Sequence, residues 1–141
     1  MCINVTCGLI EDGGKVLVAR RAGNREDSGL WEFPGGKLSP GETESECLRR
    51  EIREELGVEI RIERRMRPSL HRRPDRSLCL IPFVCSLLRG RPTPLEHDRI
   101  LWAEGRELLR LSWCPPDLPV LRQYLRERDP RLLEEIPGCG E

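Results

Sequence analysis

The clearest periodic pattern in the chain is an amphipathic one over residues 44–56, where apolar positions recur every fourth residue. Thr43, followed three positions later by Glu46, is a capping-box signature for the start of a helix. Gly57 stands where a residue in the left-handed conformation commonly ends one. We therefore predict a helix over residues 44–56 with one apolar face. The residues on that face are Leu48, Ile52 and Leu56.

Shorter apolar or alternating runs predict strands on both sides of this helix. The predicted strands cover residues 3–10, 16–20, 58–62, 78–88 and 99–103. Residues 104–109 and 118–128 are predicted to be helical, and residues 64–74 irregular. Pro82 lies inside a predicted strand, which implies a bulge or an edge position there. The order of elements is typical of an α/β fold in which the central helix packs against a mixed sheet.

The polar face of the central helix carries three carboxylates at positions i, i+3 and i+4. These are Glu51, Glu54 and Glu55. A period of 3.6 residues places them on one side, where like charges repel unless something compensates them. A bound divalent cation would do so, and oxygen ligands suit Mg²⁺ or Mn²⁺ better than zinc. The alternative is a solvated acidic face relieved by neighbouring arginines. Those arginines are Arg49, Arg50 and Arg53.

The whole pattern around this helix is more specific than its acids alone. Gly36 is followed after five residues by Glu42, and after seven more by the run REIREELGV at residues 50–58. This arrangement resembles the Nudix box at each of nine defined positions over 23 residues. The resemblance implies an α/β/α sandwich with a mixed central sheet. It also implies a hydrolase of nucleoside diphosphates linked to another group.

The run WEFPGGK at residues 31–37 resembles the MutT-type branch of the Nudix hydrolases, which act on nucleoside triphosphates. The resemblance implies that Glu32 and Phe33 help to form a base pocket and that the carbonyl of Gly35 is a metal ligand. Paired glycines allow the backbone to approach a ligand closely. Taken without the family, Phe33 would be an ordinary core residue.

Three further positions match the MutT branch. Arg76 follows a Pro-Asp pair and is assigned a base or ribose contact, with a solvated arginine as the alternative. Glu96 corresponds to a loop carboxylate that binds a second metal or acts as a base, with a solvated glutamate as the alternative. Asp117 corresponds to a residue that reads the base edge, with a plain helix N-cap as the alternative.

The resemblance implies a mechanism in which carboxylates hold Mg²⁺, or Mn²⁺, against the phosphate chain. The implied metal ligands are Gly35, Glu51, Glu54, Glu55 and Glu96. Water attacks the β-phosphorus and releases a nucleoside monophosphate and pyrophosphate, with Glu51, Glu54 or Glu96 as the base. Glu42 and Arg50 are expected to pair and to brace the loop against the helix. Arg21 and Lys37 are candidate phosphate contacts.

Several substrates and functions remain open at this point. An oxidised nucleotide such as 8-oxo-dGTP is the first candidate, and CTP or another pyrimidine nucleotide is the alternative. Asp117 stands where the 8-oxo-dGTP enzymes have Asn, which is a departure from their pattern. Nucleotide sugars, dinucleoside polyphosphates and capped RNA ends share the same chemistry. A non-catalytic nucleotide-binding module would be expected to lack box glutamates, and all are present. An RNA-binding adaptor would use the seven arginines of residues 61–76.

Composition and charge bear on the number of domains and on the partners expected for this protein. The chain has 141 residues, which suits one domain, predicted as residues 1–130 with a loosely ordered tail at 131–141. With 24 basic and 24 acidic residues, the net charge is zero, which argues against a stable nucleic-acid partner. The lack of a long apolar run and of a charged leader predicts a cytoplasmic protein without a membrane partner. The seven cysteines contain no CxxC pair and are predicted to be mostly core residues.

Overall fold

A mixed sheet forms the centre of the protein in a computed structural model that describes residues 1–23 and 26–135. Within those residues its strands are β1 (Cys2–Asp12), β2 (Lys15–Arg20), β3 (Trp31–Glu32), β4 (Gly35–Lys37), β5 (Glu59–Arg65), β6 (Ser69–Arg72), β7 (Ser77–Arg89) and β8 (Arg99–Ala103). The main path runs β3-β2-β1-β7-β5, while β4 pairs with β1, β6 with β7 and β8 with β2. The pair of β1 and β7 is parallel and the pair of β1 and β2 antiparallel, so the predicted mixed sheet is confirmed.

The helices include the predicted central one at its predicted bounds. They are α1 (Glu44–Leu56), α2 (Gly105–Arg110) and α3 (Leu118–Arg128), with 3-10 helices at Pro115–Asp117 and Pro130–Glu135. The Thr43 side chain accepts a hydrogen bond from the Glu46 N–H, and the Glu46 carboxylate accepts one from the Thr43 N–H. Gly57, at φ 70°, ends α1 in the left-handed conformation. Over the described part of the chain, every helix is too short or too polar to cross a bilayer.

The two faces of the sheet bury separate sets of apolar side chains. In β1, Leu9 belongs to one set and the next residue, Ile10, to the other, because successive side chains of a strand point to opposite faces. Helix α1 covers the Ile10 face with Leu48, Ile52 and Leu56. Helix α3 covers the Leu9 face with Val120, Leu121, Tyr124 and Leu125. The predicted α/β/α sandwich is therefore confirmed.

The basic segment at residues 64–74 is not irregular as predicted. Strand β5 continues to Arg65, and β6 spans Ser69–Arg72, both antiparallel to β7. Strand β7 has 13 residues, so it can pair with two short strands, one after the other, along one side. The prediction failed because backbone pairing with this long partner does not require apolar alternation in the arginine-rich segment itself.

Pro82 lies in an interior strand, so the predicted edge position is wrong. The register shifts between β5 and β7 lie at Glu59/Ile60 and at Ile62/Arg64, away from Pro82. The Met66 N–H donates to the Pro82 carbonyl at 2.8 Å. Because the N and C=O of a strand residue face the same way, the Pro82 nitrogen points toward the gap after Arg65, before β6 begins. The missing N–H of proline therefore costs no ladder hydrogen bond.

The segment predicted as a loose tail begins with ordered structure. The 3-10 helix Pro130–Glu135 inserts Leu132 into the core on the α3 side, where it is 6% exposed. The prediction of loose order is therefore wrong for residues 131–135, because burial of this leucine offsets the cost of ordering a polar segment. Residues 136–141 lie outside the described residues.

Most of the cysteines occupy the core, as predicted. Cys7, Cys47, Cys85 and Cys114 are buried, and all six cysteines within residues 1–23 and 26–135 are free thiols. Cys139 lies outside the described residues.

Candidate active site

One cavity of about 450 Å³ collects most of the residues that the sequence singles out. Its walls come from β1, β3, β4, α1 and β7, together with the loops after β2, between β6 and β7, before β8 and before α3. The predicted site residues that line it are Arg21, Glu32, Phe33, Gly35, Lys37, Glu51, Glu55, Arg76, Glu96 and Asp117. The structure thus brings together ten positions spread over nearly a hundred residues of sequence.

The three helix carboxylates do not all face the cavity. Glu51 and Glu55 line it, whereas the carboxylate of Glu54 lies outside its walls, 52% exposed and bound by Arg50 Nη1 at 3.0 Å. At about 100° per residue, Glu55 stands only about 40° from Glu51 around the helix axis, while Glu54 turns away by about 60° on the other side. Two of the three carboxylates therefore line the cavity, and the prediction that Glu54 also holds the ion stays a prediction.

Glu55 is the most perturbed of these carboxylates. It is 7% exposed, and burial together with the nearby carboxylates of Glu32, Glu51 and Glu96 raises its pKa to about 9. A single backbone donor, Gly35 N–H at 3.3 Å, partly opposes this shift. An ionised Glu55 therefore needs a positive charge beside it.

Paired glycines bring strand β4 against both β1 and α1. A Cβ on Gly35 would lie 2.0 Å from the carbonyl oxygen of Thr6, and a Cβ on Gly36 would lie 1.8 Å from Glu51 Oε2. The absence of side chains at these two positions lets the Glu51 carboxylate rest directly on the backbone of β4. The close approach of this backbone to a ligand stays a prediction.

The predicted ion pair between Glu42 and Arg50 is present. Arg50 Nε donates to Glu42 Oε2 at 2.6 Å, and Nη2 donates to Oε1 at 3.0 Å. The same guanidinium donates to Glu51 Oε1 at 2.8 Å. Hydrogen bonds from Arg50, with one from the Ser39 N–H, lower the pKa of Glu42 to about 2. Arg50 therefore joins the loop before α1 to a carboxylate that lines the cavity.

Phe33 and Asp117 are 84 positions apart in the sequence and are in contact in the structure. Phe33 is buried in the core, with its ring 4.9 Å from that of Trp113. Its N–H donates to Asp117 Oδ2 at 2.9 Å. Phe33 thus satisfies the core interpretation and also lines the cavity with its neighbours.

Asp117 does not act as a helix N-cap. It makes no side-chain capping hydrogen bond, because a 3-10 helix, Pro115–Asp117, leads into α3 and gives Asp117 a helical backbone. Its side chain turns to Phe33 instead. Burial, and then the nearby charge of Glu32, raise the pKa of Asp117 well above its usual range. A group of this kind donates a hydrogen bond when protonated and only accepts when ionised.

Glu32 is held at both carboxylate oxygens. Arg21 Nη1 donates to Oε1 at 2.9 Å, and His97 Nε2 lies 2.8 Å from Oε2. Burial by itself would raise the pKa of Glu32, but the contacts with His97 and Arg21 lower it below its ordinary value. Arg21 also donates from Nε to the Glu26 carbonyl at 2.7 Å. Its guanidinium is therefore engaged with the protein on two sides.

Ion pairs between two loops line part of the cavity. Arg76 Nη2 contacts Glu26 at 3.2 Å, and Arg73 pairs with Glu26 and with Asp27. Arg76 Nη1 also contacts Asp75 at 2.9 Å. Sequence reasoning found Arg76 but missed Arg73 and its acidic partners. The density of arginines was visible, but their pairing across 47 positions of sequence was not.

His97 and Cys114 are further cavity residues that the sequence analysis missed. Within residues 1–23 and 26–135, the metal-ligating groups that come within 4.8 Å of one another belong to Glu32, Cys114 and Asp117. Both oxygens of Glu32 and one of Asp117 already have protein partners. The only available sequence signal for His97 was its rarity, since the chain has two histidines, and its position next to Glu96.

The donors predicted to hold a divalent ion fit a hard cation. Gly35, Glu51, Glu55 and Glu96 line one cavity and offer only oxygen ligands. Burial, and then the neighbouring carboxylates, raise the pKa of Glu55, so a cation beside it would favour its ionised form. A thiol-containing set such as that around Cys114 would suit zinc instead.

Comparison with known proteins decides the family. The model of the NUDIX domain matches residues 2–136. The chain belongs to the Nudix family. The Nudix fold accounts for the helix and glycine turn that form one side of the cavity, which were recognised from the sequence alone.

Two relatives indicate the branch of the Nudix family that the chain resembles in sequence. The chain is 33% identical over 129 residues to the CTP pyrophosphohydrolase of Escherichia coli (strain K12), which covers 92% of this chain and 96% of that protein. It is 35% identical over 83 residues to the 8-oxo-dGTP diphosphatase of Proteus vulgaris, covering 58% and 74% of the two chains. The protein is a MutT-like Nudix hydrolase, an enzyme that acts on phosphorus-containing anhydrides.

A solved Nudix structure supports the same conclusion. The solution NMR structure of the DNA mismatch repair protein MutT from methicillin-resistant Staphylococcus aureus 252 aligns with a TM-score of 0.73 and 34% identity. The alignment covers 90% of this chain and 98% of that one. The fold and the branch inferred from residues 31–58 are therefore confirmed.

Proposed function

We propose that the protein is a divalent-metal-dependent hydrolase that converts a nucleoside triphosphate to a nucleoside monophosphate and pyrophosphate. The observation that carries this proposal is that one cavity is lined by α1 carboxylates, by the half-buried carboxylate of Glu32 and by the buried carboxyl of Asp117. The first group suits a cation and phosphates, and the second suits a base with hydrogen-bonding edges. A ligand with a polyphosphate at one end and a base at the other matches this division.

The ligands proposed for the ion, Mg²⁺ or Mn²⁺, are the Gly35 carbonyl and the carboxylates of Glu51, Glu55 and Glu96. Bound there, the ion would neutralise phosphate charge and make hydroxide available near neutral pH. The carboxylate of Glu54, exposed and paired with Arg50, is better suited to support this set than to join it directly. Arg50 holds the Glu51 carboxylate by a hydrogen bond, and Glu42 in turn holds Arg50.

In the proposed reaction, water attacks the β-phosphorus in line with the oxygen that bridges to the α-phosphorus. The bond to that oxygen breaks, the nucleoside monophosphate leaves, and the proton of the water passes to a carboxylate. Glu51 and Glu96 both line the cavity and are favoured over Glu54 as this base. Lys37, exposed at the cavity wall, is the proposed phosphate contact. Arg21, which already binds Glu32 and the Glu26 carbonyl, is better placed to brace the base pocket.

For the base, an oxidised or non-standard one such as 8-oxoguanine is the first candidate, and cytosine is the second. The relative from Proteus vulgaris supports the first, and the longer match to the Escherichia coli CTP pyrophosphohydrolase supports the second. Asp117 would meet either base with the oxygen that Phe33 does not bind. Arg76 borders the same cavity and is the proposed ribose or base contact.

The test is a screen for Mg²⁺-dependent pyrophosphate release over natural and oxidised nucleoside triphosphates, with nucleotide sugars and dinucleoside polyphosphates alongside. The expected result is a preference, by kcat/KM, for 8-oxo-dGTP or a cytidine nucleotide, together with its loss in Glu51→Gln. Activity confined to sugars or dinucleoside polyphosphates would overturn the assigned substrate while leaving the family unchanged. Turnover that persists fully in Glu51→Gln would overturn the assigned metal site.

A further inference from the structure

The loop that carries Glu96 is fixed to the body of the protein on both sides of that residue. The Leu95 N–H donates to the Glu55 carbonyl of α1 at 3.0 Å. Asp98 Oδ1 accepts from Arg20 Nε at 2.8 Å, and the Asp98 N–H donates to the Arg20 carbonyl at 3.2 Å. Glu96 therefore lies between an attachment to the acidic helix and an attachment to β2.

Between these attachments, His97 turns inward while its neighbours stay at the surface. Its side chain is 1% exposed, whereas Leu95, Glu96 and Asp98 are exposed. Among the described residues, His97 Nδ1 is the buried side-chain nitrogen or oxygen that has no hydrogen-bond partner. Burying an imidazole with one nitrogen unsatisfied is unfavourable. The contact that accompanies this burial, His97 Nε2 to Glu32 Oε2 at 2.8 Å, therefore requires an explanation beyond packing.

The other end of this contact belongs to the base pocket. Glu32 is the last residue of β3, and the next residue, Phe33, binds Asp117 through its N–H. One carboxylate oxygen of Glu32 is held by Arg21 and the other by His97. The His97 side chain thus joins the backbone next to Glu96 to the carboxylate of Glu32, which lines the same cavity.

We propose that His97 is a positioning residue that couples the metal-binding loop carboxylate Glu96 to the base-reading carboxylate Glu32. The inference rests on the proposed function, since it takes Glu96 as a ligand of the ion and Glu32 as a contact of the base. With this coupling, a base that displaces Glu32 also displaces Glu96. Discrimination between bases is then expressed in the metal requirement as well as in substrate affinity.

The experiment compares three variants. His97→Leu removes the hydrogen bond to Glu32 and replaces the imidazole with an apolar side chain of similar size. His97→Gln supplies an amide nitrogen that can donate to Glu32. Asp98→Asn is the matched control, since it weakens the neighbouring loop attachment without touching Glu32. Each is assayed for the Mg²⁺ concentration at half-maximal rate, for the ratio of kcat/KM between the best substrate and a nucleotide with another base, and for Mn²⁺ affinity without nucleotide, measured by electron paramagnetic resonance.

We expect His97→Leu to raise the Mg²⁺ midpoint and the Mn²⁺ dissociation constant by about 10-fold, the lower end for loss of a residue that orients a metal ligand. The base ratio should fall in the same variant. His97→Gln should recover most of both effects, and Asp98→Asn should leave both within about twofold of the wild type. Should His97→Leu fail to fold, His97→Asn takes its place, since its shorter side chain cannot reach Glu32.

The outcomes separate this inference from the proposed function. An active wild type whose His97→Leu variant keeps its base ratio and Mn²⁺ affinity within about twofold overturns the coupling alone. Equal losses in His97→Leu and Asp98→Asn also overturn it, because they would indicate general loosening of the loop. A wild type that hydrolyses none of the nucleotides, but whose Mn²⁺ affinity falls in His97→Leu and not in Asp98→Asn, overturns the proposed function and keeps the link to Glu96.

Discussion

Asp117 accepts a hydrogen bond from the backbone N–H of Phe33 at 2.9 Å, across 84 positions of the sequence. This contact engages one oxygen of a buried carboxyl that lines the cavity, and we expect the other oxygen to meet the base. Because burial raises the pKa of Asp117 well above its usual range, the protonation state of that second oxygen decides what it can recognise.

The first prediction concerns base preference as a function of pH. As pH rises through the raised pKa of Asp117, its carboxyl changes from a donor to an acceptor, so the kcat/KM ratio between two bases should change. In Asp117→Asn the amide is neutral at every pH, and the ratio should stay constant. Steady-state kinetics across the pH range in which the protein stays folded measure this ratio. Asp12→Asn, an exposed residue of β1, is the control and should follow the wild type. A wild-type ratio that is flat with pH would contradict the prediction.

The second prediction concerns stability without metal. The pKa of Glu55 is raised to about 9 in the folded protein. Its contribution to the free energy of unfolding is therefore fully present below its ordinary pKa and is lost progressively as pH rises from there through about 9. In EDTA, Glu55→Gln should therefore be more stable than the wild type at neutral and alkaline pH, by on the order of 2–4 kcal/mol at pH 9. Urea unfolding at pH 5, 7 and 9 measures this difference.

The exposed Glu54→Gln is the matched control for that experiment and should change the free energy of unfolding by less than about 0.5 kcal/mol. Added Mg²⁺ should stabilise the wild type and have less effect on Glu55→Gln. Equal stability of wild type and Glu55→Gln at pH 9 would mean that Glu55 ionises freely in the fold.

The third prediction concerns the ion pairs by which Arg50 holds Glu51. Arg50 uses three nitrogens to bind Glu42, Glu51 and Glu54, which a single ammonium cannot reproduce. Arg50→Lys should lower kcat by about 10-fold or more while the protein stays folded. Arg53→Lys, on the same helix but paired with Glu59 outside the cavity, should retain wild-type kcat. Equal kcat in the two variants would remove Arg50 from the support of the site.

The fourth prediction concerns Gly36. A Cβ there would collide with the tip of the Glu51 side chain, which can move away at little cost to folding but with loss of its position. Gly36→Ala should therefore lower kcat by about 100-fold, with a small change in melting temperature. Gly23→Ala, which meets nothing within 4 Å, is the control for adding a methyl group. Full activity in Gly36→Ala would mean that Glu51 works from another position.

The parts of the site that the sequence predicted are those that local rules determine. Helix α1 follows from its capping box and left-handed glycine, and the Glu42 and Arg50 pair lies within the same motif. The position of Glu54 outside the cavity was missed because helical spacing gives the angle between side chains but not the direction in which the helix faces the sheet.

The parts that were not predicted depend on contacts between distant segments. His97 reaches Glu32 across 65 positions, and no periodicity or motif marks either partner for the other. The same holds for β6, whose strand conformation depends on pairing with β7. Asp117 illustrates the point most directly, because its sequence context of flanking prolines favours a helix cap, and its tertiary partner Phe33 overrides that local preference.

The parallel pairing of β1 with β7 has a consequence for how the protein reaches its folded state. Each paired residue of β1 meets the residue 75 positions later, so this central ladder forms only after a long intervening segment has closed into a loop. The helix and its caps are local and can form early, while the sheet that receives them is slow to assemble. During synthesis the acidic helix emerges before β7 and α3 do. A partly made chain would therefore carry its acids without the pocket that selects a nucleotide.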